Sequence, residues 1–468
     1  MGETKTDNKL ILDRAKAAVL AHDYMLAARL YKNLLKDDPE NVDLLNDLGG
    51  LYQKSGRDAD AIPLYKQIIS NSPDNVDALN NLGGIYRRLK KFDQSIEVLE
   101  KAIIADETNI QSFYNLGFTY KLMGNYEEAL QCFNRVVEEN QEDVLAYNHL
   151  GSIYALQNKQ EEAVASYQRG LKVDPNHPIL HLNLAKSYEK LGRLELAANE
   201  YEASLRSKPG WLEAIDSYAD LMLSRNMTKS AAELVGQAIQ LNPQNVKMHA
   251  KMGDVYTKQN GYEDAEAEYN TALKWEPENK RVLSSLADVY DLHGKSNDAI
   301  HTMSRYEKLD PENKEMLKQY AKVLLTADKL SAASKKIKQI LDENPEDIQA
   351  LNLLGQYYIC RGEDSKAEGC FEKIKTTDPD YTAHYRDSAR RYSQKGNFLK
   401  AEEDLKKYLE TNAEDLILLA EKVPKNLQET IFNDNDDFVA SFLRAVPNMN
   451  EDQRCRIKTI VNETGENN

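Results

Sequence analysis

Residues 42–75 read VDLLNDLGGLYQKSGRDADAIPLYKQIISNSPDN, and residues 76–109 read VDALNNLGGIYRRLKKFDQSIEVLEKAIIADETN. Aligned without a gap, both stretches carry Leu-Gly-Gly followed two residues later by tyrosine. The period is 34 residues, and the same register continues from Asn8 to Asp415 as twelve units. Self-similarity at a fixed period indicates stacked small structural units.

Two positions of this unit hold small residues along the whole array. With Asn8 as position 1, position 8 is glycine or alanine in every unit, and position 20 is alanine in every unit except the third, which has Ser95. Positions 4, 7, 8 and 11 follow the spacing of one helix face, and positions 20, 24 and 27 form a matching face of a second helix. Because small residues allow close approach of two backbones, each unit is predicted to be a hairpin of two helices.

The residues that end helices recur in the same register. Position 15 is glycine or asparagine in nine units, which suits the left-handed residue after a first helix. Position 32 is often proline, as at Pro73, and is expected to close the second helix. Position 34 is asparagine or aspartate in most units, as at Asn75, and is expected to cap the next first helix.

This pattern resembles the tetratricopeptide repeat (TPR), and the residues that carry the resemblance are Leu116, Gly117, Tyr120, Gly124, Ala129, Phe133 and the late Pro175. The resemblance implies an all-α fold, a right-handed superhelical α-solenoid of twelve TPR helical hairpins whose first helices line a concave groove. Residues 8–415 are expected to form the twelve units and residues 416–463 a C-terminal helical cap. Residues 1–7 and 464–468 are predicted to be disordered. The C-terminal segment either covers the end of the stack or forms an independent docking module.

Composition narrows the classes of function. Charged residues make up 29% of the chain and the net charge is -16, which argues against a nucleic-acid partner and fits protein partners. No apolar run approaches 18 residues, so we expect no membrane insertion, and the first nine residues lack the apolar segment of a secretory signal. The four cysteines are scattered and form no CxxC, which favours free thiols and a cytoplasmic location.

Catalytic and metal sites are not predicted. The chain has no glycine-rich phosphate loop, no HExxH and no nucleophile with positioned partners, so we expect neither an enzyme nor a cofactor. His177 and His181 have a metal-ligand spacing, but Pro178 begins a helix between them and no third ligand is near, so no metal site is expected.

The resemblance implies a peptide-binding groove lined by positions 2, 5, 6, 9, 12 and 13. Position 6 reads Asn81, Asn115, His149 and Asn183, which resembles the asparagine ladder in the TPR arm of O-GlcNAc transferase. Amide side chains both donate to and accept from an extended peptide backbone. An apolar cluster lies at groove positions beside this ladder and is predicted to anchor a partner: Tyr114, Phe118, Leu145, Ile179 and Leu182. The alternatives are solvated polar residues for the ladder and an interior helix contact for the apolar cluster.

Two charge stripes are expected further along the groove. The acidic stripe, which would attract a basic peptide segment, comprises Asp216, Asp220, Asp254, Asp288 and Asp291. The basic stripe comprises Lys318, Lys322, Arg386 and Arg390. Each stripe is alternatively an ordinary solvated face. The carboxylate clamp of chaperone-binding TPR domains is not reproduced, because Leu353, Ala383 and Asp387 follow the two lysines.

The sequence therefore predicts a protein–protein interaction scaffold that holds extended or helical peptide segments in its groove. The alternative is a recruitment or substrate-binding arm of an enzyme carried on a separate chain. An arm should copurify with one dominant enzyme and a scaffold with several proteins. The sequence leaves the oligomeric state open.

Overall fold

The computed structural model describes the backbone of residues 2–411, and side chains within residues 8–408. Every regular element in that part of the chain is an α-helix, and the helices form twelve consecutive pairs in the predicted register. The first helices of the pairs are α1 (Gly2–Leu20), α3 (Val42–Lys54), α5 (Val76–Arg88), α7 (Ile110–Met123), α9 (Val144–Leu156), α11 (Pro178–Lys190), α13 (Leu212–Ser224), α15 (Val246–Lys258), α17 (Lys280–Leu292), α19 (Lys314–Thr326), α21 (Ile348–Arg361) and α23 (Ala383–Gln394).

The second helices have one common length of 14 residues. They are α2 (Tyr24–Asp37), α4 (Asp58–Asn71), α6 (Phe92–Ala105), α8 (Tyr126–Glu139), α10 (Gln160–Val173), α12 (Leu194–Ser207), α14 (Thr228–Leu241), α16 (Tyr262–Trp275), α18 (Ser296–Leu309), α20 (Leu330–Glu343), α22 (Asp364–Thr377) and α24 (Phe398–Thr411). The second helices α2 to α12 and α16 to α24 each pack on the first helix of their own pair, and within each of two compact units, which divide after Leu234, successive pairs also pack on one another.

The structure can be compared with the sequence predictions at the N-terminal end of the array. Helix α1 begins at Gly2, so residues 2–7 are helical in the structure although the sequence predicts disorder there. Residues 3–7 contain neither glycine nor proline, so no helix breaker separates them from the first repeat. The predicted capping helices and C-terminal tail lie outside the described residues.

Contact between the two helices of a pair depends on the small residues at positions 8 and 20. A Cβ atom added to Gly151 would lie 2.4 Å from a ring carbon of Tyr167, and one added to Gly253 would lie 2.6 Å from the ring of Tyr269. Ala163 and Ala265, at position 20 of the same pairs, are fully buried. The glycine leaves room for an aromatic ring from the second helix, and this packing forms the core of the pair.

Helix ends follow the predicted capping chemistry. The Asn75 side chain accepts a hydrogen bond from the Ala78 N–H at 2.9 Å, and the same bond recurs at Asn41, Asn109, Asp143, Asn245, Asn279, Asn313 and Asp347. The residue at position 15 has a positive φ in all twelve pairs. The sequence predicts nine of these from glycine or asparagine, and the other three are His22, Lys90 and Asp328.

Candidate protein-binding face

Two of the three asparagines predicted to bind peptide backbone make hydrogen bonds between successive repeats. Asn183 donates from Nδ2 to Oδ1 of Asn148 at 2.8 Å, and Asn115 donates in the same way to Asn80 at 3.5 Å. Asn81 is half-buried and makes no side-chain hydrogen bond with any residue that the structure describes. The amides at position 6 therefore link first helices, and only part of their hydrogen-bonding capacity remains for a partner.

The same link recurs in the second compact unit with other side chains. Gln319 donates to the Ser284 carbonyl oxygen at 2.8 Å, and Asn352 donates to the Asp387 carboxylate at 2.8 Å. In every case, position 5 of one repeat is bonded to position 6 of the next. This recurrence identifies the link as a structural feature of the array.

His149 belongs to an aromatic cluster rather than to a ladder of polar side chains. Its ring stacks on the fully buried Phe133 with centroids 4.7 Å apart, and it meets the edges of Tyr114 and Phe118 at 6.0 and 5.7 Å. Burial, together with the nearby Lys121 ammonium, lowers the pKa of His149 to about 4. The imidazole is therefore neutral at physiological pH, and its Nδ1 is buried without a hydrogen-bond partner among the described residues.

Tyr114 and Phe118 lie at the boundary between core and surface. Both are half-buried and pack against the core cluster that contains Leu130 and Leu150. The Tyr114 hydroxyl donates to the Asp143 carboxylate, and the Arg87 guanidinium lies 5.0 Å from the centroid of the Phe118 ring. These rings thus contact the interior and still expose part of their surface to solvent.

Leu145 and Ile179 are exposed, with 54% and 41% of their surface accessible. Helical periodicity places Leu145 on the same face of α9 as His149, which lies one turn further along the helix. It likewise places Ile179 on the same face of α11 as Asn183. His149 contacts both Tyr114 and Phe118 of α7. We call the surface of these first helices the central face, and its apolar residues are Tyr114, Phe118, Leu145 and Ile179.

The prediction for Leu182 is wrong, because this side chain is only 1% exposed. It occupies position 5, where Asn80 and Ala250 are also buried, at 7% and 3%. Position 5 lies against the neighbouring first helix in several repeats, so an apolar residue there belongs to the core. Two exposed leucines at position 13, Leu122 at 52% and Leu156 at 58%, extend the apolar surface instead and were missed by the sequence prediction.

The residues of the predicted acidic stripe have different surroundings. In the first compact unit, Asp216 is half-buried and Asp220 is exposed. In the second unit, Asp254 accepts from the Tyr269 hydroxyl and from Arg281, each at 2.7 Å. Asp254 is thus already paired with a cation of the chain, which a basic peptide would have to replace.

Asp288 and Asp291 are half-buried in the second unit. Burial raises the pKa of Asp291, although the charges of Lys322 and Arg390 oppose the shift. Acidic and basic side chains therefore approach each other here, and they do not form a purely acidic surface.

Two of the four predicted basic residues are paired. Lys318 contacts Glu315 at 2.9 Å and Asp347 at 3.1 Å, and Arg386 contacts Asp387 at 3.2 Å. Lys322 and Arg390 are exposed. Half of the predicted basic stripe is thus already engaged in ion pairs within the chain.

Two half-buried cations beside Phe118 were not among the predicted site residues. Arg87 donates from Nη1 to the Asn115 backbone oxygen at 3.1 Å and to its side-chain oxygen at 3.2 Å, and Lys121 donates to the Ser152 hydroxyl at 2.6 Å. Burial lowers the pKa of both groups. Both occupy position 12, in consecutive repeats, and that recurrence was the signal available in the sequence.

The histidines with metal-ligand spacing have structural roles. His177 caps α11 by accepting from the Leu180 N–H at 3.3 Å, and Nδ1 of His181 lies 2.6 Å from the Glu200 carboxylate. Within the described part of the chain, no cluster of histidine, cysteine, aspartate and glutamate side chains could hold a metal ion. No helix within residues 2–411 combines the length and apolar character needed to cross a membrane.

Comparison with known families gives three matches to TPR models. Residues 12–75 and 74–138 each match a tetratricopeptide-repeat model, and residues 133–352 match the model of the C-terminal domain of cilia and flagella-associated protein 70, a TPR domain. No curated protein matches the chain significantly.

Several solved structures are similar to this chain over part or nearly all of its length. A tetratricopeptide repeat protein from Parabacteroides merdae is 17% identical, covering 61% of this chain and 99% of that one, with a TM-score of 0.42. A structure of the APC/C hetero-tetramer Cut9-Hcn1 is 13% identical over 98% of this chain and 96% of that one, with a TM-score of 0.40. The MamA protein is 27% identical over 38% of this chain and 94% of that one, with a TM-score of 0.34.

Three TPR models thus cover residues 12–352, and the helix pairs follow the 34-residue register of that repeat. The chain belongs to the tetratricopeptide-repeat family.

Proposed function

We propose that the protein is an interaction scaffold that binds a peptide segment of another protein on the central face. TPR arrays serve generally in protein interaction, and the observation that carries this finer assignment is the apolar surface of the central face. Leu145 and Ile179 need not be apolar for folding, because each leaves two-fifths or more of its surface in water. Exposed apolar residues grouped on one face are typical of interfaces.

A partner that completes the burial of these side chains would gain free energy. Full burial of a leucine or isoleucine is worth roughly 1.5–3 kcal/mol, and about half of that remains to be gained at Leu145 and Ile179. Tyr114 and Phe118 add ring surface that is already held in place by His149. A rigid aromatic costs less conformational entropy on binding than a mobile side chain, which suits it to anchor a partner.

Polar groups on the same face support an extended partner. Asn81 has its full amide available, and Asn183 retains one N–H and its oxygen after its bond to Asn148. These groups would hydrogen-bond to the main chain of a bound segment and limit the cost of removing it from water.

The proposed role is binding without catalysis. Location in the cytoplasm remains a prediction from the cysteine pattern, and fluorescence microscopy of the tagged full chain tests it. A secretory or organelle-restricted signal would contradict that location and leave the binding proposal intact.

The binding proposal is tested by selection from a random peptide library displayed on phage, with the full chain as bait. We expect peptides to be enriched by the wild-type chain and to bind L145D/I179D at least about tenfold more weakly. The matched control is I104D/L196D, which places the same charges on exposed apolar residues of the second helices α6 and α12. Equal weakening by both variants, or no enrichment at all, would overturn the assignment.

A further inference from the structure

Arg87 and Lys121 are half-buried cations without a carboxylate partner among the described residues, whereas the unpaired lysines next to Arg87, Lys90 and Lys91, are exposed. In the same region, Arg88 pairs with Asp58 at 2.6 Å, and Lys186 pairs with Glu213 at 2.7 Å. Among the residues that the structure describes, no acidic side chain lies within ion-pair distance of Arg87 or Lys121. The chain carries 76 acidic and 60 basic residues, so a shortage of carboxylates does not explain this.

Each cation extends from its own first helix to the next first helix along the array. Arg87 reaches from α5 to α7, where its guanidinium covers Phe118 and bonds Asn115. Lys121 lies three residues after Phe118 on α7 and reaches Ser152 on α9. Both side chains are fixed by neutral hydrogen-bond partners, so their positions do not depend on a counter-ion.

Each cation retains donors for a ligand. Arg87 uses Nη1 for Asn115, which leaves Nε and Nη2, and the Lys121 ammonium uses one of its three N–H groups for Ser152. Half-burial makes an unpaired positive charge costly, and a carboxylate would remove that cost while accepting the remaining N–H groups.

We propose that Arg87 and Lys121 each bind the carboxylate of an aspartate or glutamate side chain in a peptide whose neighbouring residues are apolar. The apolar neighbours would contact Phe118 and the exposed Leu122 and Leu145. This inference rests on the proposed function and specifies the partner. It disfavours a basic segment on the central face, because two unpaired cations would repel it.

The overall charge of -16 does not oppose this arrangement at short range. Screening at physiological ionic strength reduces interactions beyond about 8 Å, so the local cations dominate the field that a bound carboxylate experiences. Long-range repulsion lowers the association rate of an acidic peptide, and added salt would lessen that repulsion.

The test compares the composition of the peptides that different variants enrich from one library. Every peptide in the library has constant flanking sequences at both ends, so no free C-terminal carboxylate is offered. The wild-type chain is expected to enrich peptides with aspartate or glutamate next to apolar residues. R87E/K121E should enrich lysine or arginine at that place, and R87Q/K121Q should lose the preference for either charge. An acidic peptide from the wild-type selection should bind R87Q/K121Q at least about tenfold more weakly.

The control variant is K101E/R135E, which changes one lysine and one arginine of the same two repeats, on the second helices, where both cations already pair with glutamates. It should keep the acidic preference. Circular dichroism of each variant distinguishes altered recognition from unfolding, and the glutamine pair keeps the inference testable if the reversed pair does not fold. Enrichment without acidic residues, or an acidic preference that survives in folded R87Q/K121Q, would overturn the inference while leaving the proposed function standing. No enrichment by the wild-type chain would overturn both.

Discussion

At Gly151, one hydrogen atom in place of a methyl group decides how closely α9 and α10 approach. A Cβ there would lie 2.4 Å from the Tyr167 ring, whereas a Cβ on Gly50 would meet nothing within 4 Å. We predict that Gly151→Ala lowers stability by about 1–3 kcal/mol through overpacking. Gly50→Ala should raise it by about 0.5–1 kcal/mol, because alanine loses less backbone entropy in a helix. Thermal unfolding midpoints measured side by side test this pair, and a destabilised G50A with an unchanged G151A would contradict the packing described.

His149 makes the stability of the fold depend on pH in the acidic range. Its pKa is about 4 in the folded chain and near 6.5 when unfolded, so the unfolded state binds the proton first. Stability is therefore fully present above pH 6.5 and falls as the pH drops toward 4, by up to about 3 kcal/mol. His149→Phe, which preserves stacking on Phe133, should flatten this part of the stability profile. Urea unfolding across that pH range is the measurement, and an unchanged slope in the variant would assign the acid sensitivity to other groups.

Individual residues also show which features could be predicted from the sequence and which could not. Position 8 could be predicted because glycine or alanine there is a steric requirement that every repeat shares. Leu182 could not, because its burial depends on the next first helix, and Asn183 is drawn into a bond with Asn148 of the preceding repeat. Arg87 and Lys121 are distinguished by half-burial without a carboxylate partner, and only the three-dimensional arrangement reveals both properties.

At the scale of the element, the first helix of each pair ends at a residue with positive φ. Glycine supplies this conformation readily, but Lys90 adopts it with φ 56°, at a cost of about 1–2 kcal/mol for an L-residue with a Cβ. We predict that Lys90→Gly stabilises the chain by about 0.5–1 kcal/mol, after the greater chain entropy of glycine is subtracted. Lys91→Gly, at a residue with φ -89°, is the control and should destabilise. Unfolding midpoints that fall equally in both variants would contradict the conformational argument.

On the scale of the whole molecule, the described helices contact mainly their neighbours in the chain. Ala163 of α10 is fully buried, so Ala163→Leu should overpack that repeat and lower its stability by about 1–3 kcal/mol. In an array stabilised by nearest-neighbour contacts, the damage should begin locally. Hydrogen exchange should therefore accelerate first in α9 to α11, before it changes near α1 to α4. Uniform acceleration along the described helices would mean that the array unfolds as one cooperative unit.

Binding on the central face is tested most directly by photo-crosslinking from a chosen side chain. A photoreactive phenylalanine analogue replaces Leu145 in one variant and Ile104 in another, since both side chains are exposed and lie on a first and a second helix respectively. Each variant is irradiated with a peptide selected by the wild-type chain, and mass spectrometry locates the adduct. Binding on the central face predicts an adduct from position 145 and none from position 104. An adduct from position 104, with none from position 145 while binding persists, would contradict that site.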